Sequence, residues 1–356
     1  MSLEPKVVDP RNWASFAETT FKRHSPLYWH LFQGMKQDAE IFSLLALVDQ
    51  NQPVPVLFLC AVQYLLRGEP EHPLAQFFPQ LATGTVRPPA EAYPYFRDFC
   101  LTHLSHFQHL LPPLRLQTNE VSRCSHLLPA FERVSCHGGH KPLALIEVGS
   151  SAGLNLFWDR FGYTYHAGEE TFQVGQQGAT VQLQCAFKGS LRPSLPAVLP
   201  SVSWRQGIDL SPLDITREAD RRWLASCIWP EEALRYNLLE AAIAEALADP
   251  PHLLAGDACS LLPSLLAEVP AETTLCVYHS YALTQGPAQA RACILNQLAT
   301  HSRQRPIYRV ALEIDPDQGW REPHLELFIY HQGEVISQEW LASCDIHGTE
   351  MRWLVP

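Results

Sequence analysis

Residues Leu143-Ala144-Leu145-Ile146-Glu147-Val148-Gly149-Ser150-Ser151-Ala152-Gly153-Leu154-Asn155 decide the fold class of this chain. An apolar run long enough for a buried strand ends in a turn of very small side chains, and a helix-like LNLFWDRF run comes next. Small residues let a ligand approach the backbone, and the first N–H groups of a succeeding helix would face that ligand. The acid at the strand end, Glu147, is the informative residue. A dinucleotide site places glycine there and brings a pyrophosphate onto the helix. A carboxylate suits a ligand that is cationic or rich in hydroxyls and carries no phosphate.

S-adenosylmethionine meets that description with its amino group, its sulfonium and its ribose. The spacing E-x-G-x-x-x-G fits a site for it, with Ser151 standing where a middle glycine is common. Glu147, Gly149, Ser150, Ser151, Gly153 and Asn155 are therefore expected to bind the cofactor. Two later strand ends extend the set. Gly207-Ile208-Asp209 puts a carboxylate where a second strand meets the ribose diol, and Gly256-Asp257-Ala258 puts another where an adenine amine is met. The plainer alternative is that Asp209 and Asp257 are helix N-caps.

Outward from this segment the chain has two characters. From about Trp13 to Val134 apolar residues recur at helical intervals, as in Asp38–Asp49 and Val56–Leu66, between Pro- and Gly-rich breakers. The expected N-terminal domain is all-helical and covers residues 1–138. Residues 139–356 alternate strand-like and helix-like pieces, with a β insertion near 163–200 that reads as a hairpin or small sheet. Further strands are expected at Val202–Ile208, His252–Gly256, Thr274–Tyr278 and Ile307–Ile314. Leu325–His331 and Val335–Trp340 then read as a hairpin across Gln332-Gly333. The expected fold class is α/β, a Rossmann-like sheet of class I methyltransferase type, mostly parallel with a closing antiparallel hairpin.

Composition sets the outer bounds. The 356 residues are 46% apolar and 18% charged, as in globular proteins, with a formal net charge of -11. That acidity disfavours nucleic acid as a partner, because acidic neighbours dilute the arginines near Arg217, Arg221 and Arg222. No apolar run is long enough to span a bilayer. The N-terminus is polar and the ten cysteines are scattered without a CxxC pair, which points to free thiols in a cytoplasmic protein. Cys100, His103, His106 and His109 recur every third residue, a spacing that spreads them around a helix and excludes one shared metal ion. No metal is expected, and the sequence carries no signal of oligomeric state.

Other polar clusters suggest substrate and proton handling. Glu120 and Arg123, in Gln117-Thr118-Asn119-Glu120-Val121-Ser122-Arg123, would reach over the cofactor cleft; the alternative is N-capping by Thr118 or Asn119. Arg222 is a candidate anchor for an anionic substrate. His279 and Tyr281 come after the fourth parallel strand, where His279 could serve as a base near neutral pH. The same turn also fits G-x-S-x-G, a nucleophile elbow with Ser151 as a hydrolase nucleophile. His137-Gly138-Gly139 would then be an oxyanion loop, with His279 or His347 and an acid such as Asp315 completing a triad. Against that reading, nearly all strands come after Ser151, and the HGG run lies directly ahead of the strand that carries it.

The chain resembles an uncharacterised bacterial family, a domain of unknown function grouped with Rossmann-fold methyltransferases. The matching runs are Ser25-Pro26-Leu27-Tyr28, His72-Pro73-Leu74-Ala75, Gln117–Glu120 with Arg123, and Ile146–Leu156 continuing through Asp159-Arg160 to Tyr163 and Tyr165. They resume at Gly207–Leu210 with Pro212-Leu213-Asp214, at Asp220–Leu224 with Trp229-Pro230, and close with Gly256-Asp257-Ala258 and His279-Ser280. The resemblance implies the fold and a cofactor pocket at Glu147, Gly149, Gly153, Asp209 and Asp257. The expected activity is methyl transfer from S-adenosylmethionine to a small-molecule nucleophile. A non-catalytic cofactor-binding protein of the same fold is the alternative from another class.

Overall fold

The computed structural model describes residues 17–314 and 322–356, so Trp13 and Asp315 lie outside the described residues. Its labelled helices are α1 (Pro26–Gln37), α2 (Val54–Arg67), α3 (Tyr93–Thr102), α4 (Cys124–His137), α5 (Glu218–Ser226), α6 (Ala233–Ala246), α7 (Ala258–Glu268) and α8 (Ala288–His301). Contacts sort the chain into two units. One runs to Thr118 and takes in Arg217–Asn237; the other comprises Asn119–Thr216 and Leu238–Pro356. The break thus falls at Thr118, earlier than the residue 138 expected from sequence. The reason is physical: α4 packs on the sheet and belongs with it.

The first unit is helical and polar groups fasten it internally. Ser25 caps α1 by accepting from Tyr28 N, and its hydroxyl donates to Glu231 over 2.5 Å. Leu27 N donates to the same carboxylate, and the Tyr28 hydroxyl donates to buried Gln63 on α2. Gln63 in turn donates to the carbonyls of Ala225 and Ile228. The Ser-Pro-Leu-Tyr run therefore has a packing role. The helical stretch expected over Arg221–Leu247 is two helices, α5 and α6, separated around Trp229-Pro230, since proline cannot continue a helix.

The second unit is built on one sheet of eleven strands in the order β3-β2-β4-β11-β10-β9-β8-β7-β1-β5-β6. The strands are β1 (Leu143–Val148), β2 (Gly162–Ala167), β3 (Glu170–Gly175), β4 (Gln182–Phe187), β5 (Val202–Asp209), β6 (Leu253–Ala255), β7 (Thr274–Ser280), β8 (Ile307–Glu313), β9 (His324–His331), β10 (Glu334–Cys344) and β11 (Glu350–Trp353). All six residues of β1 are buried, as a central parallel strand requires. It pairs in parallel with β5 on one side and β7 on the other, so strand order reverses direction beside it. Parallel pairing continues to β6 and β8, after which β9 and β10 run antiparallel. The insertion does not form a small sheet of its own. Its strand β4 pairs with β11, a strand with no clear signal in the sequence, and so extends the main sheet.

Two apolar layers cover the faces of the parallel strands. On one, Ala144, Ile146 and Val148 of β1 and Leu275 and Val277 of β7 pack with Leu262 and Leu266 of α7 and Ile294 and Leu298 of α8. Because side chains alternate, Leu143, Leu145 and Glu147 face the other way, toward the layer that holds α4. There the Phe131 ring stacks on Trp158 at 4.7 Å and meets Tyr278 edge-on at 5.1 Å. Contrary to the expectation that every cysteine is free, Cys259 of α7 and Cys293 of α8 are disulfide-bonded, with Cα atoms 5.8 Å apart. Helix α3 ends just before His103, which bonds the Phe99 carbonyl and Glu69; among the described residues no group of three ligating side chains could hold a metal.

Phe131 is fully buried between Trp158 and Tyr278. Phe131→Ala should lower the unfolding free energy by about 3–5 kcal/mol, measured by urea denaturation.

Candidate functional site

The carboxyl ends of β1 and β7 gather most of the polar residues that the sequence singles out. In an open parallel sheet this edge, where strand order reverses, is the usual place for a ligand crevice. The turn after β1 is drawn toward β5: Gly149 N and Ser150 N both donate to the Ile208 carbonyl, over 2.8 and 3.1 Å. Gly149 and Gly153 have φ of 75° and 71°, and Ser151, at 53°, holds a left-handed conformation that a side chain rarely adopts. A Cβ on Gly149 would overlap the Ala282 methyl, and one on Gly153 would press on Leu253 and Pro251. Close backbone packing thus already accounts for glycine at both positions. A cavity of about 280 Å³ opens beside this region, with Leu213, Ile215, Pro251 and Leu253 among its walls.

The turn does not lead into the expected α-helix. Leu154–Arg160 is a 3-10 segment kinked at Phe157, and the chain enters β2 at Gly162. Seven residues leave too little length for an amphipathic helix between the two strands, so this segment points no helix dipole at the turn. Its first N–H, on Leu154, donates to the Asn119 side chain over 3.0 Å. Asn119 therefore does not cap its own segment, which is the role its sequence position suggests.

Glu147 is the central residue of the cluster. It is 2% exposed, and its Oε2 is enclosed without a hydrogen-bond partner among the described residues. Burial pushes its carboxyl up to about 8; Asp209 adds to this, while the Tyr278 hydroxyl, the Asn155 amide and Arg123 favour the anion. Such shifts concentrate at functional sites. The hydroxyls of Ser150, Ser151 and Tyr281 are also enclosed without partners among the described residues. An edge with this many buried polar atoms unpaired is unusual for a native protein and is expected where a ligand completes the bonding.

The two remaining acids are engaged to different degrees. Asp209 accepts from Ser151 N through Oδ2 and from Ser211 N through Oδ1, which ties the turn after β1 to the end of β5. Asp257 caps α7, accepting from Cys259 N, Ser260 N and Ser260 Oγ. Here the capping alternative describes the geometry, since the bonds from the Cys259 and Ser260 N–H groups are those of a helix N-cap. Ala258, its neighbour, packs into the α7–α8 core layer.

Substrate candidates from the segment before α4 do come to the same edge. Arg123 lies over the Tyr281 ring at 4.0 Å, donates from Nε to the Ile346 carbonyl, and reaches Ser280 Oγ at 3.5 Å. Glu120 is 5% exposed, accepts from Ser122 Oγ, and lies 3.5 Å from His347. Tyr281 has φ of 54°, a strained backbone held by its N–H bond to Leu312. Arg222, in the other unit, pairs with Glu218 and lies over Tyr64, so it is not counted in this cluster.

His279 lies at the end of β7, as the sequence pattern has it, but on the face away from Glu147. Alternation along β7 turns Tyr278 and Ser280 toward the face of Glu147 and His279 toward the opposite one. Its Nδ1 bonds Glu313 at 2.6 Å, and the same carboxylate accepts from Ala282 N, Leu283 N and Thr284 Oγ1. Burial lowers the pKa of His279 against the pull of Glu313, which keeps it neutral at pH 7. Burial also acts to raise Glu313, but His279, Thr284 and the Ala282 N–H outweigh it and hold the carboxylate ionised. Tyr278, absent from the sequence-based set, is the residue that stands beside Glu147. The pairing of Glu147 with Tyr278 across β1 and β7 is what reveals it, and that register is not visible in one sequence.

The hydrolase constellation is not assembled among the described residues. Ser151 Oγ bonds no histidine, His279 is held by Glu313, and His347 lies by Glu120. A fluorophosphonate probe on the folded protein should leave Ser151 unlabelled by mass spectrometry. The Gly149–Ala282 contact gives a second test. Gly149→Ala should destabilise the chain by about 1–3 kcal/mol through φ strain and overlap. Adding Ala282→Gly should recover part of that loss in a double-mutant cycle, because it removes the overlap and not the strain.

Over residues 11–353 the sequence matches the model of a family described as an uncharacterized protein conserved in bacteria, DUF2332. No curated protein and no solved structure matches it. That match spans nearly the whole chain, and the protein belongs to the DUF2332 family.

Proposed function

We propose that the edge formed by β1, β5 and β7 binds S-adenosylmethionine and that the protein transfers its methyl group to a small-molecule nucleophile. One observation carries this reading: Glu147, buried at the end of the central strand, has an enclosed carboxylate oxygen that nothing among the described residues satisfies. Ionising a carboxyl buried in this way is costly unless a cationic partner arrives. The amino-acid end of the cofactor supplies one. Asp209 suits the ribose, since a carboxylate can accept from both hydroxyls of a diol and Ser151 N and Ser211 N fix this one beside the turn. Asp257 has no adenine role in this reading, because the cap occupies it.

The parallel order around β1 and the closing antiparallel strands accord with a Rossmann-like methyltransferase sheet. In this reading Arg123, Glu120 and Tyr281 border the acceptor, and positioning supplies most of the rate. His279, neutral and with Nε2 unpartnered among the described residues, is the base of the reading. The non-catalytic alternative shares the cofactor site and differs only in turnover with a panel of small nucleophiles.

Thermal-shift and calorimetric titration test the proposal directly. S-adenosylmethionine and S-adenosylhomocysteine should stabilise the protein by about 2.7 kcal/mol at a hundredfold excess over Kd, and NAD should not. Affinity for S-adenosylhomocysteine should climb between pH 6 and 8, at most about tenfold per unit, as Glu147 ionises. Glu147→Gln should weaken binding and flatten that slope. Absence of any response to either adenosyl ligand in a folded sample overturns the proposal.

The same carboxyl makes a prediction for the free protein. Its folded pKa stands above the unfolded one, so between about 4.5 and 8 the folded state holds the extra proton and stability falls as pH rises. The loss is of the order of 1.4 kcal/mol per pH unit in that window. Glu147→Gln should therefore be more stable than wild type at pH 9 and gain little at pH 5, compared by urea denaturation at both.

A further inference from the structure

We propose that Tyr278 joins Glu147 in recognising a primary ammonium group, so that this pair, rather than the glycine turn, selects the amino-acid end of the ligand. The inference rests on the cofactor reading above and deepens it. Parallel register places Tyr278 of β7 directly across from Glu147 of β1, on the same face of the sheet. Both side chains are buried, and Glu147 Oε2 and Tyr278 Oη are enclosed and reach no third polar group among the described residues. The tyrosine cannot swing away, because the Phe131 ring, itself stacked on Trp158, meets it edge-on.

The chemistry of the pair narrows the ligand class. The phenol oxygen carries one donor and two acceptor sites, and the carboxylate only acceptors. The Tyr278 hydroxyl favours the Glu147 anion as a hydrogen-bond donor to it, which leaves the lone pairs of the phenol oxygen for a ligand. Once Glu147 ionises, its Oε2 and the lone pairs of Tyr278 Oη form neighbouring acceptors in a buried place and call for a compact group with several donors. An ammonium has three around one nitrogen, whereas a ligand hydroxyl has one and a guanidinium spreads its donors over a plane. The Asn155 amide also favours the Glu147 anion that such an ammonium would meet. The hydroxyls of Ser150 and Ser151 remain for the carboxylate of the same ligand end.

Isothermal titration of the full chain with two probes tests this. S-adenosylhomocysteine has the amino-acid end; 5′-methylthioadenosine keeps the nucleoside and thioether without it. Wild type should bind the first more tightly. Tyr278→Phe, which keeps the buried ring, should weaken S-adenosylhomocysteine roughly tenfold or more, as for a lost hydrogen bond to a charged group, and leave methylthioadenosine nearly unchanged. The pH at which S-adenosylhomocysteine affinity levels off should also move upward in the variant, since the hydroxyl that favours the Glu147 anion is gone. Equal weakening of both probes, or no effect on S-adenosylhomocysteine, overturns the role of Tyr278 while leaving a nucleoside site standing. Failure of wild type to bind either probe overturns the cofactor reading and this inference with it.

Discussion

An acidic side chain enclosed at the end of an otherwise apolar central strand is the constraint around which this structure is arranged. Desolvation holds Glu147 in its neutral form over most of the physiological range. The strands on either side then place an aspartate, a tyrosine and three serine or glycine backbone positions within one small region. Asp209 links the turn to β5, and the loop after β7 closes over Gly149 through Ala282. Glu313 in turn holds that loop, accepting from His279, from two backbone N–H groups and from Thr284. One buried carboxylate organises the loop, and the other keeps an oxygen without a bond among the described residues. The asymmetry separates an acid fully engaged by its own loop from one that the proposed ligand would complete.

Much of the architecture was legible because strand ends carry local punctuation. The apolar runs that become β1, β5, β7 and β8 each stop at a small or polar residue, and the hairpin of β9 and β10 is marked by Gln332-Gly333. What was illegible depends on pairing at long range. Nothing near Glu350 announces that β11 carries β4, and with it the whole insertion, onto the main sheet. The same holds for α4, whose helical periodicity is plain but whose attachment to the sheet is a tertiary fact.

The candidate site divides along the same line. Glu147, Asp209, Glu120 and Arg123 were found by type and position, because charged residues at strand ends and loop starts stand out against apolar neighbours. Tyr278 carries no mark in the sequence, because placing it beside Glu147 needs both the alternation of β7 and its register against β1. Asp257 illustrates a different limit. An acid before Ala258-Cys259-Ser260 satisfies the demands of a cap and of a ligand site equally, and only the hydrogen bonds decide. The disulfide between Cys259 and Cys293 was invisible for a related reason, since 34 residues separate its ends.

The way residues are shared between the two units has a consequence for how the chain matures. The helical unit is discontinuous: it recruits Arg217–Asn237 from the middle of the segment that builds the sheet. The Ala225 and Ile228 carbonyls that Gln63 requires, and the Glu231 carboxylate that holds the start of α1, all come from that excursion. A nascent chain emerging in order thus presents the helices up to Thr118 long before their own core can close. By then β1 to β5 have also left the ribosome, so the two units reach completion in overlapping time rather than one after the other.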